Sequence, residues 1–268
     1  MDSEKNGSLY WIIARRNYAV YMTCQGYLAR HPHAFLKKWN CLRRAAWRFR
    51  SLRGTEAKEI STASLCRLID SFEVISFDIF DTLLCRNVQK PRDVFRSVQE
   101  EQHATGFYDA RIRAEQRARR MHPKQEDVTF RQIYQELPEQ YRGLEQAELD
   151  AEKAAVYANA AMAPVYQHAL QAGKRVILCS DMYLTRDFLE KLLQNSGFGG
   201  YEKLYLSSEL MKTKGTGHLF HHVVQDTETA PEKILHIGDH LESDGTAAIL
   251  GMGFVHVVDG RFFEVKRR

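Results

Sequence analysis

Cysteine is sparse and shows no paired pattern. The 268 residues hold five, Cys24, Cys41, Cys66, Cys85 and Cys179, widely scattered and without a Cys-x-x-Cys. That spacing supplies neither a disulfide framework nor a zinc site, and it fits reduced thiols in a cytoplasmic protein. No apolar run approaches the length of a bilayer span, so no membrane-crossing helix is expected. The opening residues, with Asp2 and Glu4, lack the apolar core of a secretion signal, so secretion is not expected either. What remains is an ordinary globular balance, 44% hydrophobic and 27% charged, in a chain long enough for one large domain or two smaller ones.

Charge is unevenly spread. Residues 1–55 carry eleven Lys and Arg against two acids, a net +9, whereas the rest carries 27 bases and 32 acids, a net −5. The bases of this arm are interleaved with Tyr10, Trp11, Tyr18, Tyr21, Tyr27, Phe35, Trp39, Trp47 and Phe49, and Arg30-His31-Pro32-His33 breaks it into two expected helices. A basic, aromatic-rich helical arm suits three roles: packing on its own catalytic domain, lying on an anionic membrane surface, or docking on a partner protein. Nucleic acid ranks last, because no base-reading motif accompanies the charge.

Beyond a polar link at Gly54–Thr62 and a short helix at Ala63–Asp70, Val74–Phe77 reads as an apolar strand running straight into Asp78. Residues 92–172 read as helical, with Pro91 at a helix start, Thr129 as an N-cap and Pro164 as an interruption of a stretch at Glu145–Leu170. Strands then return at Arg175–Ser180, Lys203–Ser207, Lys233–Gly238 and Gly253–Val258. They alternate with helices at Thr185–Gly197, Gly215–Val224 and Ser243–Leu250. The alternation predicts an α/β fold, a Rossmann-like doubly wound parallel sheet of about five strands. The helical block is too long for a crossover and reads as an inserted cap. The expected division is an arm at 1–60, a core at 70–88 and 166–268, and a cap at 89–165.

The chemistry gathers at strand ends. Asp78 ends the first strand, Ser180 the second, Lys214 opens the helix after the third, and Asp239 and Asp244 follow the fourth. Carboxyl ends of parallel strands share one edge, where ligands bind. Clustered carboxylates repel unless a cation lies between them, and their oxygens suit a hard ion such as Mg2+. A hydroxyl and a lysine beside that ion make a cradle for a phosphoryl group.

These four motifs, in this order and context, resemble the haloacid dehalogenase-like (HAD) superfamily over about residues 70–260. Ser180-Asp181-Met182-Tyr183-Leu184 and Lys214-Gly215-Thr216-Gly217-His218-Leu219-Phe220 resemble more narrowly a bacterial group encoded with, or fused to, glycosyltransferases of surface-polysaccharide synthesis. The resemblance implies a magnesium-dependent hydrolase of a small phosphorylated substrate. Asp78 would attack phosphorus, Ser180 would bond a phosphoryl oxygen, and Lys214 would offset charge. Asp78, Asp239 and the carbonyl of Phe80 would hold Mg2+, and Asp244 would ligate it directly or through a water, or orient Lys214. The cap would close over the site and select the substrate. Thr82, Asp181 and His240 are candidate substrate contacts. A glycosyltransferase or an anionic membrane surface is the partner implied for residues 1–55, which would place the protein peripherally on the inner membrane.

One residue departs from the pattern. Phosphatases of this superfamily usually carry a second Asp, the general acid/base, two residues after the nucleophile; here it is Phe80. Losing such a group forfeits about 10²–10⁴-fold in rate. Asp81, one place on, is the remaining acid and would act through a water. Dehalogenases also lack the second Asp, but they lack the metal-binding acids too, and this chain keeps both. The departure leaves open a second role, a catalytically weak domain that serves as a binding module. His218, His221 and His222 share helical spacing but read as ordinary surface or core residues, and Cys85 and Cys179 read as buried thiols.

Overall fold

The computed structural model describes residues 55–267; the basic arm expected at 1–60 lies outside them up to residue 54. A seven-stranded sheet runs in the order β1 (Thr55–Ile60), β9 (Arg261–Arg267), β8 (Gly253–Val258), β7 (Ile234–Gly238), β2 (Val74–Phe77), β5 (Arg175–Ser180), β6 (Lys203–Leu206). The five strands from β8 to β6 are parallel, as expected. β9 runs antiparallel to β8, and β1 occupies the stretch expected to be a polar link.

Burial on both faces explains the apolar strands. Val74–Phe77 and Ile234–Gly238 are buried at every position. Along β2, Ile75 and Phe77 join the larger core, while Val74 joins Ile177, Cys179, Tyr205, Leu219, Phe220 and Ile234 on the opposite face. The flanking helices are α1 (Thr62–Asp70), α6 (Ala163–Gln171), α7 (Arg186–Asn195) and α9 (His218–Asp226), with a single turn, α8 (Ser207–Leu210), directly after β6. From β2 the chain builds outward to β5 and β6, then returns to lay β7 against the other edge of β2. The crevice beyond β2 and β7 is therefore a topological switch point.

The cap enters and leaves through a two-stranded ribbon, β3 (Leu84–Arg86) against β4 (Val156–Ala158), antiparallel with Cys85 opposite Tyr157. β4 corrects the expectation that 92–172 holds no strand. Pro164 likewise opens α6 rather than interrupting a helix, which suits a residue lacking an N–H. The cap itself is α2 (Val94–Glu101), α3 (Phe107–Met121), α4 (Phe130–Gln135) and α5 (Glu145–Ala155). Thr129 caps α4 as expected: its Oγ1 accepts from Gln132 N–H at 3.2 Å, and Gln132 Oε1 accepts from Thr129 N–H at 2.8 Å.

The cap core is built around an ion pair. Arg111, fully buried, donates through Nε and Nη2 to Glu148 at 2.8 and 2.9 Å. Tyr134 Oη–H donates to the same carboxylate at 2.8 Å. The guanidinium also lies 4.5 Å from the ring of Phe95 and 4.9 Å from that of Tyr183, a core residue. Burial pushes the Glu148 carboxyl up, and Arg111 opposes it. Removing one member of such a pair strands the other charge. Arg111→Met is expected to lower stability to urea by about 3–5 kcal/mol; a loss below about 1 kcal/mol would show that the cap does not depend on the pair.

Candidate active site

The switch point delivers Asp78. Its N–H continues the strand ladder to Ile237 O at 2.9 Å, and the residue is only 5% exposed. Lys214 lies in the turn before α9, which starts at His218 and not at Gly215 as expected. Its buried Nζ donates to Asp78 Oδ1 and, at 2.5 Å, to Asp244 Oδ1. Asp78, Asp239 and Asp244 bring carboxylate oxygens within 4.8 Å of one another.

Asp244 is the most heavily bonded of the three. Beyond Lys214 it accepts from His236 Nε2 at 3.0 Å and from His240 N–H at 2.9 Å. His236 is fully buried, and burial holds its imidazole below the usual range, hence neutral. A neutral ring that donates from Nε2 leaves Nδ1 to accept from Ser76 Oγ, 2.9 Å away. Despite its burial, Lys214 with these bonds holds Asp244 well below the ordinary carboxylate range. Gly238 makes room: a Cβ there would lie 2.4 Å from Asp244 Cγ.

The other two acids are under strain of charge. Burial, then Asp244, pushes Asp239 up to about 6. Burial raises Asp78 well above its usual value, and Asp244 and Asp239 add to the rise while Lys214 opposes it. One ammonium cannot neutralise three carboxylates. The all-oxygen donor set and its charge deficit fit a hard divalent cation, which Asp78, Asp239 and Asp244 would hold.

Of the remaining predicted residues, Asp181 joins the site: its Oδ1 accepts from Lys214 N–H at 2.8 Å, and burial pushes its carboxyl up to about 6. Ser180 ends β5, the neighbour of β2, and is buried. Thr82 is fully buried, and its Oγ1 has no hydrogen-bond partner among the described residues. His240 is exposed, its ring turned to Ser243 with Nδ1 3.3 Å from that N–H. Asp81 adopts the left-handed region at φ 59°, with its side chain 50% exposed and 4.0 Å from Arg86 Nη1. It still lies near enough to Asp239 to raise that acid. Phe80 is buried, with the Arg86 guanidinium 3.8 Å above its ring. Arg86 is held in turn by Glu152 Oε1, 2.7 Å from Nε. Cys179 is buried as expected, whereas Cys85 is half-buried. His218 pairs with Glu126.

Sequence reasoning missed Ser76, His236 and Arg86. The first two carried a signal, a polar residue in the same register position of two otherwise apolar strands, Ser76 opposite His236. Arg86 carried none.

No family model matches the chain, and no curated protein matches it. Solved structures do share its fold. A HAD family enzyme from Bacteroides thetaiotaomicron, in complex with magnesium and inorganic phosphate, is 16% identical. The match spans 70% of this chain and 96% of that one, with a TM-score of 0.52. A dehalogenase with an intermediate complex is 14% identical over 70% of this chain and 86% of its own, with a TM-score of 0.50. At these identities the likeness is one of fold, the Rossmann-like HAD fold with its inserted cap.

If the acidic cluster holds Mg2+, the ion must compete with protons for Asp239. Magnesium is expected to raise the unfolding temperature at pH 7.5, by an amount equivalent to about 2.7 kcal/mol at a hundred times Kd. The rise should shrink as the pH falls through about 6, where Asp239 takes up a proton. Asp239→Asn should abolish it. A magnesium shift of equal size at pH 5 and 7.5, or one retained by the variant, would remove Asp239 from the ligand set.

Proposed function

We propose that this chain is a magnesium-dependent HAD-type phosphatase that works through an aspartyl-phosphate. The observation that carries the proposal is the buried Lys214 ammonium set between Asp78 and Asp244, with Asp239 completing an acidic cluster. In this reading Asp78 Oδ attacks phosphorus, the bond to the leaving oxygen breaks, and water then cleaves the acyl-phosphate to return Asp78. The nucleophile must be ionised, and Lys214 opposes the burial and acidic neighbours that favour its proton. Bound Mg2+ would supply further positive charge for the phosphoryl oxygens. Ser180 and the Lys214 ammonium would bind those oxygens, with Thr82, Asp181 and His240 as further substrate contacts. The carbonyl of Phe80 would join the three acids as a metal ligand.

Protonation of the leaving oxygen is assigned to Asp81, through a water, because the Phe80 ring beneath Arg86 cannot move a proton. The substrate class we favour is a small sugar phosphate of surface-polysaccharide synthesis. That choice rests on the likeness of the Ser180–Leu184 and Lys214–Phe220 runs to the glycosyltransferase-associated group.

Asp78→Asn keeps the shape of the side chain but cannot form the acyl-phosphate. It is expected to abolish phosphate release, in a screen of phosphorylated metabolites with magnesium, while the unfolding transition stays cooperative. Release at the wild-type rate would exclude Asp78 as the nucleophile.

The clamped Phe80 also favours a second reading, a weakly catalytic domain that binds a glycosyltransferase or a membrane. Residues 1–55, at +9 against −5 for the rest, would supply the contact, on the cytoplasmic face of the inner membrane, with nucleic acid the least favoured partner. Full-length protein is expected to co-sediment with anionic vesicles at low salt and to release them near 1 M, where the screening length is about 3 Å. A form starting at Ser61 should not bind. Equal sedimentation of the two forms would sink the membrane role.

A further inference from the structure

The cap reaches the catalytic loops through a dipeptide that the reaction above does not use. Glu126 and Asp127 lie between α3 and α4. Glu126 Oε2 accepts from Thr213 N–H at 2.8 Å and from Thr216 Oγ1 at 2.6 Å. These two residues bracket Lys214. Glu126 Oε1 meets His218 Nδ1. Asp127 is 4% exposed. Its Oδ2 accepts from Ser207 Oγ, which itself accepts from Met182 N–H at 2.9 Å. Met182 follows Ser180 and Asp181. Asp127 Oδ1 in turn accepts from Arg119 Nη1 at 2.7 Å and from Val128 N–H at 2.9 Å. One cap dipeptide thus grips both the loop of Lys214 and the loop of Ser180. The two loops are joined to each other by the Asp181 bond to Lys214 N–H, and Phe130 N–H adds a bond to Tyr183 O at 3.0 Å.

Charge argues against an incidental contact. The neighbouring cluster already holds more carboxylates than one lysine offsets, and two further acids nearby are electrostatically unwelcome. Neutral side chains would serve simple packing. What carboxylates supply is strong acceptance for N–H groups in loops that have no helix or strand partner of their own.

We infer that Glu126 and Asp127 are positioning residues that set the Lys214 and Ser180 loops, so that the phosphoryl cradle is assembled by the docked cap. The role given to the loops rests on the phosphatase reading; the anchoring itself does not.

The test uses the full-length protein, with amide exchange read by mass spectrometry on residues 212–217 and 181–183 alongside phosphate-release kinetics. Glu126→Ala is expected to speed exchange at 212–217 by about tenfold or more and to lower kcat about ten- to hundredfold, with a smaller change in KM. Glu126→Gln keeps an acceptor oxygen for Thr213 and should recover most of both. Asp127→Ala, which leaves the Ser207 bond to Met182 N–H in place but removes its acceptor on the cap, should loosen 181–183 in the same way, and it keeps the inference testable should Glu126→Ala fail to fold. Glu139→Ala, exposed on the cap, should change nothing. Unchanged exchange at both loops in the variants, or a Gln variant no better than Ala, overturns the inference. A wild-type protein that releases no phosphate overturns the phosphatase reading, and the exchange rates then still decide the anchoring.

Discussion

Everything at the head of the sheet follows from one buried ammonium among carboxylates. Lys214, 3% exposed, is the cation that Asp78 and Asp244 share. Burial alone would strip its proton, and the acids around it hold the proton in place. The division of charge is unequal. Asp244, bonded also by His236 and the His240 N–H, is held ionised, while Asp78 and Asp239 are left with unfavourable charge. A cluster that buries more carboxylates than its lysine offsets, at the carboxyl end of the central strand, favours added positive charge there, and in the proposed reading that charge meets a phosphoryl group.

The backbone is shaped to allow this. Gly238 is the residue whose missing Cβ lets Asp244 approach the end of β7. Asp81 takes a left-handed turn that costs most side chains about 1–2 kcal/mol and that Asp tolerates better than most. The turn sends its carboxylate outward, beside Arg86, and leaves Phe80 facing inward under the guanidinium. An arginine that holds an aromatic ring at this position fixes the geometry of the first loop without providing a proton donor. In the proposed chemistry, Phe80 thus separates the charge-stabilising part, assigned to Lys214 and the acids, from the proton-transfer part, assigned to Asp81.

Much of this was legible in residue order. The five parallel strands are mostly apolar because both sheet faces carry core side chains, and such runs read plainly. The catalytic candidates lie at the carboxyl ends of these strands or in the loops that follow them. β1, by contrast, is the polar Thr-Glu-Ala-Lys-Glu-Ile at a sheet edge, where no alternation marks a buried face. β4 is three residues long between helices and exists only because β3 is there to pair with it. The Arg86 clamp and the Glu126-Asp127 contacts join residues dozens of positions apart, and local spacing carries no trace of a pairing made by the fold. His236 lies between these cases: a histidine in a buried strand is visible, but its partner Asp244 becomes apparent only once the loop after β7 folds back.

The cap contacts bear on how such a site would work. The β3–β4 ribbon is the covalent stem of the cap. The Arg111 guanidinium against Tyr183, the Phe130 bond to Tyr183, and the two carboxylates on the Lys214 and Ser180 loops add anchors beyond that stem's own pairing. A lid that swung as one body would break all of these together. Each anchor also ends on a loop that the proposed reaction uses, so cap docking and loop order are thermodynamically linked, and the linkage is reciprocal. Whatever binds at Lys214 and orders its loop also strengthens the seat of Glu126, and hence the docked cap. In this arrangement a ligand need not touch the cap to hold it closed.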